Sequence, residues 1–209
     1  MSCREIGGVN LIEELTGKKA FWTVDPTLLF TSEEWLEFLQ IDKDRNSKDY
    51  ICVNCFGQLP KSYRFQMKEL IKLTNSSAVR YLNSGCRDMK TDMKYGSADY
   101  GPKEFVELIK NCNLSLVNGY HGLLFSIIFE KPFILYHREE REHWGKHEGR
   151  MMDLVKYLGI EDRYLYYRDR VNNNYLKMDY SIINKKLAEL RKCSWGYLSE
   201  MLSEINSSK

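Results

Sequence analysis

No apolar run in this sequence approaches the roughly 20 residues needed to cross a bilayer. The longest, Leu123 to Phe129, contains Ser126 and stops at Glu130. The N-terminus, Met1-Ser-Cys-Arg-Glu, has no apolar stretch of the kind a signal peptide needs. Cysteine is sparse, six in 209 residues, which excludes a disulfide scaffold and, with no leader, points to a reducing, cytoplasmic setting. Cys52-Val-Asn-Cys55 is a lone Cys-x-x-Cys with no second pair or matching histidines, so it reads as structural thiols rather than a zinc site. Neither sign of charge dominates: 31 Lys and Arg face 29 Asp and Glu, and a net charge of +2 makes nucleic acid an unexpected partner. Aromatics, in contrast, are plentiful. Fourteen Tyr and nine Phe exclude a disordered chain, and the length suits one domain to one and a half.

Proline and glycine punctuate an alternation of strand-like and helix-like segments. Strands are expected at Ala20–Val24, Tyr50–Cys55, Ala78–Leu82, Leu114–Val117 and Pro132–Tyr136. Helices are expected at Thr31–Gln40, Pro60–Leu73, Gly101–Cys112, Leu123–Phe129 and Arg150–Leu158. The polar stretch Asn83–Tyr100 reads as a long loop. Residues 180–209 form a terminal helical segment whose long helix, Ser181–Ile205, could break at Ser194-Trp195-Gly196. Short connections between alternating elements predict a Rossmann-like α/β fold over 1–209: a parallel sheet with helices on both faces. Ligands of such sheets gather at the carboxyl ends of the strands. At the start, Arg4 reads as the end of a strand whose beginning would lie before Met1, which suggests that an upstream half is missing.

The most informative stretch is Leu114 to Phe129, a strand, a turn at Asn118-Gly119-Tyr120, then His121-Gly122 and an apolar helix. The first amides of a helix have no intrahelical partner and the dipole there is positive, which suits a phosphate or carboxylate. Gly122 permits close approach, and His121 adds a proton donor. The alternative is a histidine that caps its own turn. Asp25 could face the cleft from a strand end, or start the Asp25-Pro26 turn. Arg4 could hold a ligand or pair with Glu5 or another acid at the sheet end. Arg150 could reach the cleft or pair with Asp153. The run His137 to Glu148 has histidines four apart at His143 and His147, but lacks His-Glu-x-x-His, so it reads as a solvated loop and no metal is expected. Tyr164 to Arg170 reads as a packed strand edge.

The ordered set Ser2-Cys3-Arg4-Glu5, Leu15-Thr16-Gly17, Asp25-Pro26-Thr27-Leu28-Leu29, Trp35, Gly101-Pro102, Glu104-Phe105, Val117 to Gly122, Phe125 to Phe129 and Lys131-Pro132-Phe133 resembles the polysaccharide pyruvyl transferase family. Arg150, Leu154, Leu158, Gly159, Arg191 and Ser194 extend the likeness. The resemblance implies one lobe, the C-terminal one, of a GT-B-like transferase, with its N-terminal lobe absent. It implies transfer of a pyruvyl group from phosphoenolpyruvate to glycan hydroxyls, with ketal formation, in surface polysaccharide biosynthesis. The donor is a substrate, and no other cofactor is implied. Arg4, Tyr120, His121 and Gly122 match donor-binding positions, with His121 as the general acid. A glycan or lipid-linked glycan is the implied acceptor. In one respect the sequence departs from some members, which carry Arg where Gly119 stands. Two other readings stay open: a nucleotide-sugar-dependent glycosyltransferase lobe, and a catalytically silent fragment or interaction module.

Overall fold

Among the described residues the chain forms two parallel sheets, one of two strands and one of six. In chain order the elements are β1 (Ser2–Cys3), α1 (Ile6–Thr16), β2 (Phe21–Trp22), α2 (Ser32–Leu39), β3 (Tyr50–Asn54), α3 (Tyr63–Thr74), β4 (Ala78–Tyr81), β5 (Met93–Lys94), α4 (Pro102–Lys110), β6 (Leu114–Val117), α5 (Tyr120–Ile128), β7 (Phe133–His137), α6 (Gly149–Leu158), β8 (Tyr164–Tyr166) and α7 (Tyr180–Ser207). Short 3-10 turns occupy Pro26–Leu29, Glu161–Arg163 and Asn173–Leu176. The structure is a computed structural model and describes residues 1–43, 49–57, 59–60, 62–82, 93–94, 101–137 and 149–207. The chain divides into two compact units. One comprises Met1–Thr31, Gly145–Glu161 and Asp179–Lys209, the other Ser32–Trp144 and Asp162–Met178.

The second unit holds the large sheet, ordered β5-β4-β3-β6-β7-β8 with every pairing parallel. β3, β6, β7 and β8 are buried at every position. That explains why their sequences are continuous apolar runs rather than alternations, as strands covered on both faces require. On one face Ile51, Val53, Val79, Tyr81, Leu114, Leu116, Ile134, Tyr136 and Leu165 meet Tyr63, Met67 and Leu70 of α3. Each such side chain stabilises the fold by roughly 1.5–3 kcal/mol on burial. On the other face the Tyr50 hydroxyl donates to the Leu108 carbonyl of α4 at 2.7 Å. There too α5 crosses the sheet, buried at every position from Gly122 to Ile128. Helices on both faces of a parallel sheet make this unit Rossmann-like, as the sequence predicts.

A buried polar tie closes the α3 face. Gln66, 3% exposed, donates through Nε2 to the carbonyls of Tyr166 at 2.9 Å and Asp169 at 2.8 Å. Its Oε1 accepts from the Tyr136 hydroxyl at 2.9 Å. The helix is thereby fixed to the carboxyl ends of β7 and β8.

In the first unit β1 and β2 pair in parallel, Ser2 with Phe21 and Cys3 with Trp22. The amides of Ile6 and Gly7, which open α1, donate to Asp153 Oδ2 at 2.9 and 3.2 Å. A carboxylate is the natural partner for those orphan donors. α1 ends at Gly17 in a left-handed conformation, φ 63°, where its amide bonds the Glu13 carbonyl. α7 runs unbroken through Ser194-Trp195-Gly196, where the sequence suggested a break. Ser194 acts as a tie: its buried hydroxyl donates to the Leu190 carbonyl at 2.8 Å and accepts the Val24 amide at 2.9 Å. Arg191 adds bonds from its guanidinium to the carbonyls of Leu28 and Phe30. Among the described residues no helix is long and apolar enough to cross a membrane.

Candidate functional site

β6 ends at Val117 and the chain turns through Asn118 and Gly119 into α5. The helix begins at Tyr120, three residues before the Leu123 start that composition suggested. Gly119 is its N-cap, in ordinary extended backbone at φ −102°, ψ 141°. Tyr120, His121 and Gly122 are therefore the first helical turn, not the end of a loop. The first intrahelical bond runs from the Leu123 amide to the Gly119 carbonyl at 3.2 Å. Gly119 supplies no side-chain cap, so the first-turn amides keep the anion affinity of a helix start. His121 is exposed, Tyr120 half-buried and Gly122 buried. The rings of Tyr120 and His121 lie edge to face at 5.9 Å.

Asn54 and Phe56, which sequence reasoning did not single out, build the floor beside this turn together with Asn118 of the turn itself. Asn54, 3% exposed, ends β3, and its carbonyl accepts the Asn118 amide at 3.1 Å. The Asn118 side chain then clamps Phe56. Its Oδ1 accepts the Phe56 amide at 2.7 Å and its Nδ2 donates to the Phe56 carbonyl at 3.1 Å. Both glycines face this floor. A Cβ on Gly122 would stand 2.7 Å from Asn54 Oδ1, and one on Gly119 would stand 2.5 Å from Phe56 Cε2. The backbone of Gly119 would accept any residue; the ring of Phe56 occupies the place of its side chain. The available signal was a polar residue ending each of two buried strands, Asn54 after Val53 and Asn118 after Val117.

Arg4 and Asp25 meet in the first unit. The Arg4 guanidinium donates to Asp25 Oδ2 at 2.5 Å and lies 3.6 Å from Glu5. Asp25 Oδ1 accepts the Thr27 amide at 3.0 Å, capping the 3-10 turn. Burial, at 3% exposure, pushes the Asp25 carboxyl up, but the Thr27 bonds and the Arg4 charge outweigh it and hold it below the ordinary value. A lowered carboxyl stabilises the fold above its unfolded pKa and loses that contribution as pH falls through the folded value. Asp25→Ala is thus expected to cost about 2–3 kcal/mol at neutral pH, by loss of cap and ion pair. Asp25→Asn, which keeps a capping oxygen, should cost about 1 kcal/mol. Urea denaturation from pH 7 down should show both gaps closing below the usual Asp value of 3.8. Gaps that persist to the acid end would show that the charge plays no part.

Arg150 lies in α6; its side chain is outside the described residues, as is the run 138–148 with His143 and His147. Among the described residues no three His, Cys, Asp or Glu side chains are placed to share a metal ion. Cys52 and Cys55 are buried, and burial together with the neighbouring Cys112 pushes the Cys52 thiol well up, so it stays a protonated packing group. β8 packs as the edge of the large sheet, with Tyr164 and Tyr166 buried. A shallow groove of about 320 Å³ lies at the far end of α5, lined by Leu36, Lys110, Phe129 and Lys131 among others, and includes none of the sequence candidates.

The second unit has a switch point in its strand order. From β3 the chain proceeds outward through β4 to β5, and from β6 it proceeds the opposite way through β7 to β8. The order reverses between β3 and β6, and open α/β sheets bind ligands outside the carboxyl ends of strands at such a switch point. Asn54 and Asn118 to Gly122 stand there. The family model for polysaccharide pyruvyl transferase matches residues 1–138, a span that carries Arg4, Asp25 and the whole β6–α5 turn. The chain belongs to the polysaccharide pyruvyl transferase family. A search of curated proteins finds no match. The likeness at Arg150, Arg191 and Ser194 falls beyond the matched span of this pyruvyl transferase family member.

Proposed function

We propose that this chain carries the donor-binding part of an enzyme that moves a pyruvyl group from phosphoenolpyruvate onto two hydroxyls of a glycan, at the cytoplasmic side, during surface polysaccharide synthesis. The observation that supports it most directly is the uncapped first turn of α5 with exposed His121, at the switch point of the sheet, in a chain of this family. The donor phosphate or carboxylate would take the amides of His121 and Gly122. His121 would protonate the methylene carbon of the enol while a glycan hydroxyl adds to the neighbouring carbon. Phosphate then leaves, and a second hydroxyl closes the ketal. One hydroxyl proton ends in the new methyl group and the other on phosphate, so the reaction balances with no further cofactor. Arg4 is assigned to a donor anion on the family likeness, since a guanidinium fork suits carboxylates and phosphates. Its partners Asp25 and Glu5 hold it in place.

Titration calorimetry of the chain with phosphoenolpyruvate is expected to give binding that falls about tenfold or more in His121→Ala, the loss of one charge-assisted bond. The ring is exposed, so the variant should fold normally. Absence of binding in both proteins would remove the proposal. The nucleotide-sugar reading is favoured by one feature, the uncharged Gly119, and has its own readout. A thermal-shift panel of UDP, GDP and CMP beside phosphoenolpyruvate would support it if a nucleotide alone raised the melting temperature.

A further inference from the structure

α5 closes on a Schellman motif. The Lys131 amide bonds the Ser126 carbonyl at 2.9 Å and the Glu130 amide bonds the Ile127 carbonyl at 3.1 Å. The motif puts Glu130 in the left-handed region, φ 50°. Glycine is the usual residue there, because a Cβ is penalised. Asn75, in the same conformation after α3, is the common substitute. Glutamate is neither, so this position lowers stability relative to glycine, and such outliers gather at functional sites.

Glu130 lines the groove at this end of α5, which lies wholly within the second unit. Its volume of about 320 Å³ is at the lower end of small-molecule sites, roughly 300–1,000 Å³. Leu36 and Ile128, both buried, and the half-buried Phe129 are its apolar lining. The Phe129 ring stacks on Phe125, with centroids 6.4 Å apart and planes at 16°. Glu33 and Glu130 are exposed at the rim and Lys131 is half-buried. Lys110, 7% exposed, already donates to the carbonyls of Asp42 at 3.0 Å and Lys43 at 3.1 Å and to Asn111 Oδ1 at 3.4 Å. It therefore brings the groove a fixed charge and an aliphatic stem rather than a hydrogen bond.

The two lysines and two glutamates of this lining cancel in charge. An anion or a cation meets repulsion from one pair as well as attraction from the other. A wholly apolar guest takes water from the charged rim and gives no hydrogen bond back. A neutral ring with an apolar face and hydroxyls around its edge satisfies both parts, because each hydroxyl can donate to a carboxylate or accept from an ammonium. We propose that the groove binds a neutral pyranose, its CH face against Phe129 and its hydroxyls donating to Glu130, and that it holds a unit of the acceptor glycan other than the one that reacts. The acceptor role rests on the proposed function. The groove does not, since it lies at the opposite end of the nine-residue α5 from His121, about 13 Å away at 1.5 Å per residue.

The test is an NMR titration of the full chain with methyl glucoside, methyl galactoside, glucuronate and phosphoenolpyruvate. At least one neutral glycoside should shift the methyl signals of Leu36 and Ile128, and glucuronate should bind more weakly. Glu130→Gly should weaken that glycoside about tenfold, the loss of a hydrogen bond to a charged group. The same variant should raise the melting temperature by about 2–4 °C, since glycine suits φ 50°. Phe129→Leu, which keeps the bulk but loses the ring face, should weaken it about fivefold. A higher melting temperature with unchanged glycoside affinity in Glu130→Gly overturns the role of Glu130. Glucuronate binding as tightly as the neutral glycosides overturns the ligand class. Phosphoenolpyruvate acting at His121 while neither glycoside shifts the groove overturns the subsite and leaves the proposed function standing. Glycoside shifts with no response to phosphoenolpyruvate support the groove and overturn the acceptor role.

Discussion

Replacing Gln66 with alanine is expected to destabilise the chain by about 3–4 kcal/mol, seen as a lower urea midpoint at unchanged slope. One carboxamide joins three groups, the carbonyls of Tyr166 and Asp169 and the hydroxyl of Tyr136. Truncation leaves all three without this partner in a site where Gln66 itself is 3% exposed. Burial pushes the Tyr136 phenol far above its ordinary value, so the hydroxyl keeps its proton and remains a donor throughout the accessible pH range. Alanine also leaves a cavity. Gln66→Leu, of similar bulk, isolates the hydrogen-bond part and should still cost about 2–3 kcal/mol. A loss under 1 kcal/mol in Gln66→Leu would mean that water replaces the side chain and that the tie is incidental.

Gly122→Ala carries the second large effect, and its sign runs against helix propensity. Alanine in place of glycine inside a helix normally stabilises by about 1 kcal/mol. Here the new Cβ would stand 2.7 Å from Asn54 Oδ1 and 3.0 Å from Val117 Cγ1. Both neighbours end buried strands and cannot withdraw, so α5 must lift from the sheet, at a cost of about 2–3 kcal/mol. Gly196 in α7 provides the control, because a Cβ there meets nothing within 4 Å. Gly196→Ala is expected to stabilise by about 0.5–1 kcal/mol. Thermal or urea unfolding of the two variants side by side settles the matter. Stabilisation by both would show that α5 has room to shift and that glycine is not required at its first turn.

The large sheet was legible because its strands are buried on both faces. Tyr50–Asn54 and Phe133–His137 read as unbroken apolar runs, and the structure moves their limits by a residue or so. The start of α5 was not legible, because Gly-Tyr-His-Gly has poor helix propensity. Its helical state is imposed by the six consecutive buried residues that follow, Leu123 to Ile128, a tertiary cause invisible to local preference. β5, only Met93–Lys94, sits in a polar stretch with no pattern of its own, and the rest of that stretch lies outside the described residues. Ser194-Trp195-Gly196 looks like a helix break for the same reason that it is not one. A small polar residue is needed where the Val24 amide requires an acceptor 170 positions away in sequence.

At the candidate site, His121 and Gly122 were read from the strand–glycine–helix sequence, and Tyr120 only from the family likeness. Asn54 and Phe56 were not, because they reach α5 only through the pairing of β3 with β6, across some 62 residues of chain. Arg4 pairing with an acid was foreseeable, but not that the acid would be Asp25, 21 residues on, already engaged as a cap.

The two bonds from Asn118 to Phe56 have a thermodynamic meaning for whatever arrives at α5. They continue the β3–β6 ladder by one rung past the last backbone pair, with a carboxamide imitating a peptide group on both its donor and its acceptor side. The mouth of the helix therefore has its shape before any guest is present. A donor bound there, as proposed, would meet a shape already set and would cost the protein little motional freedom on docking.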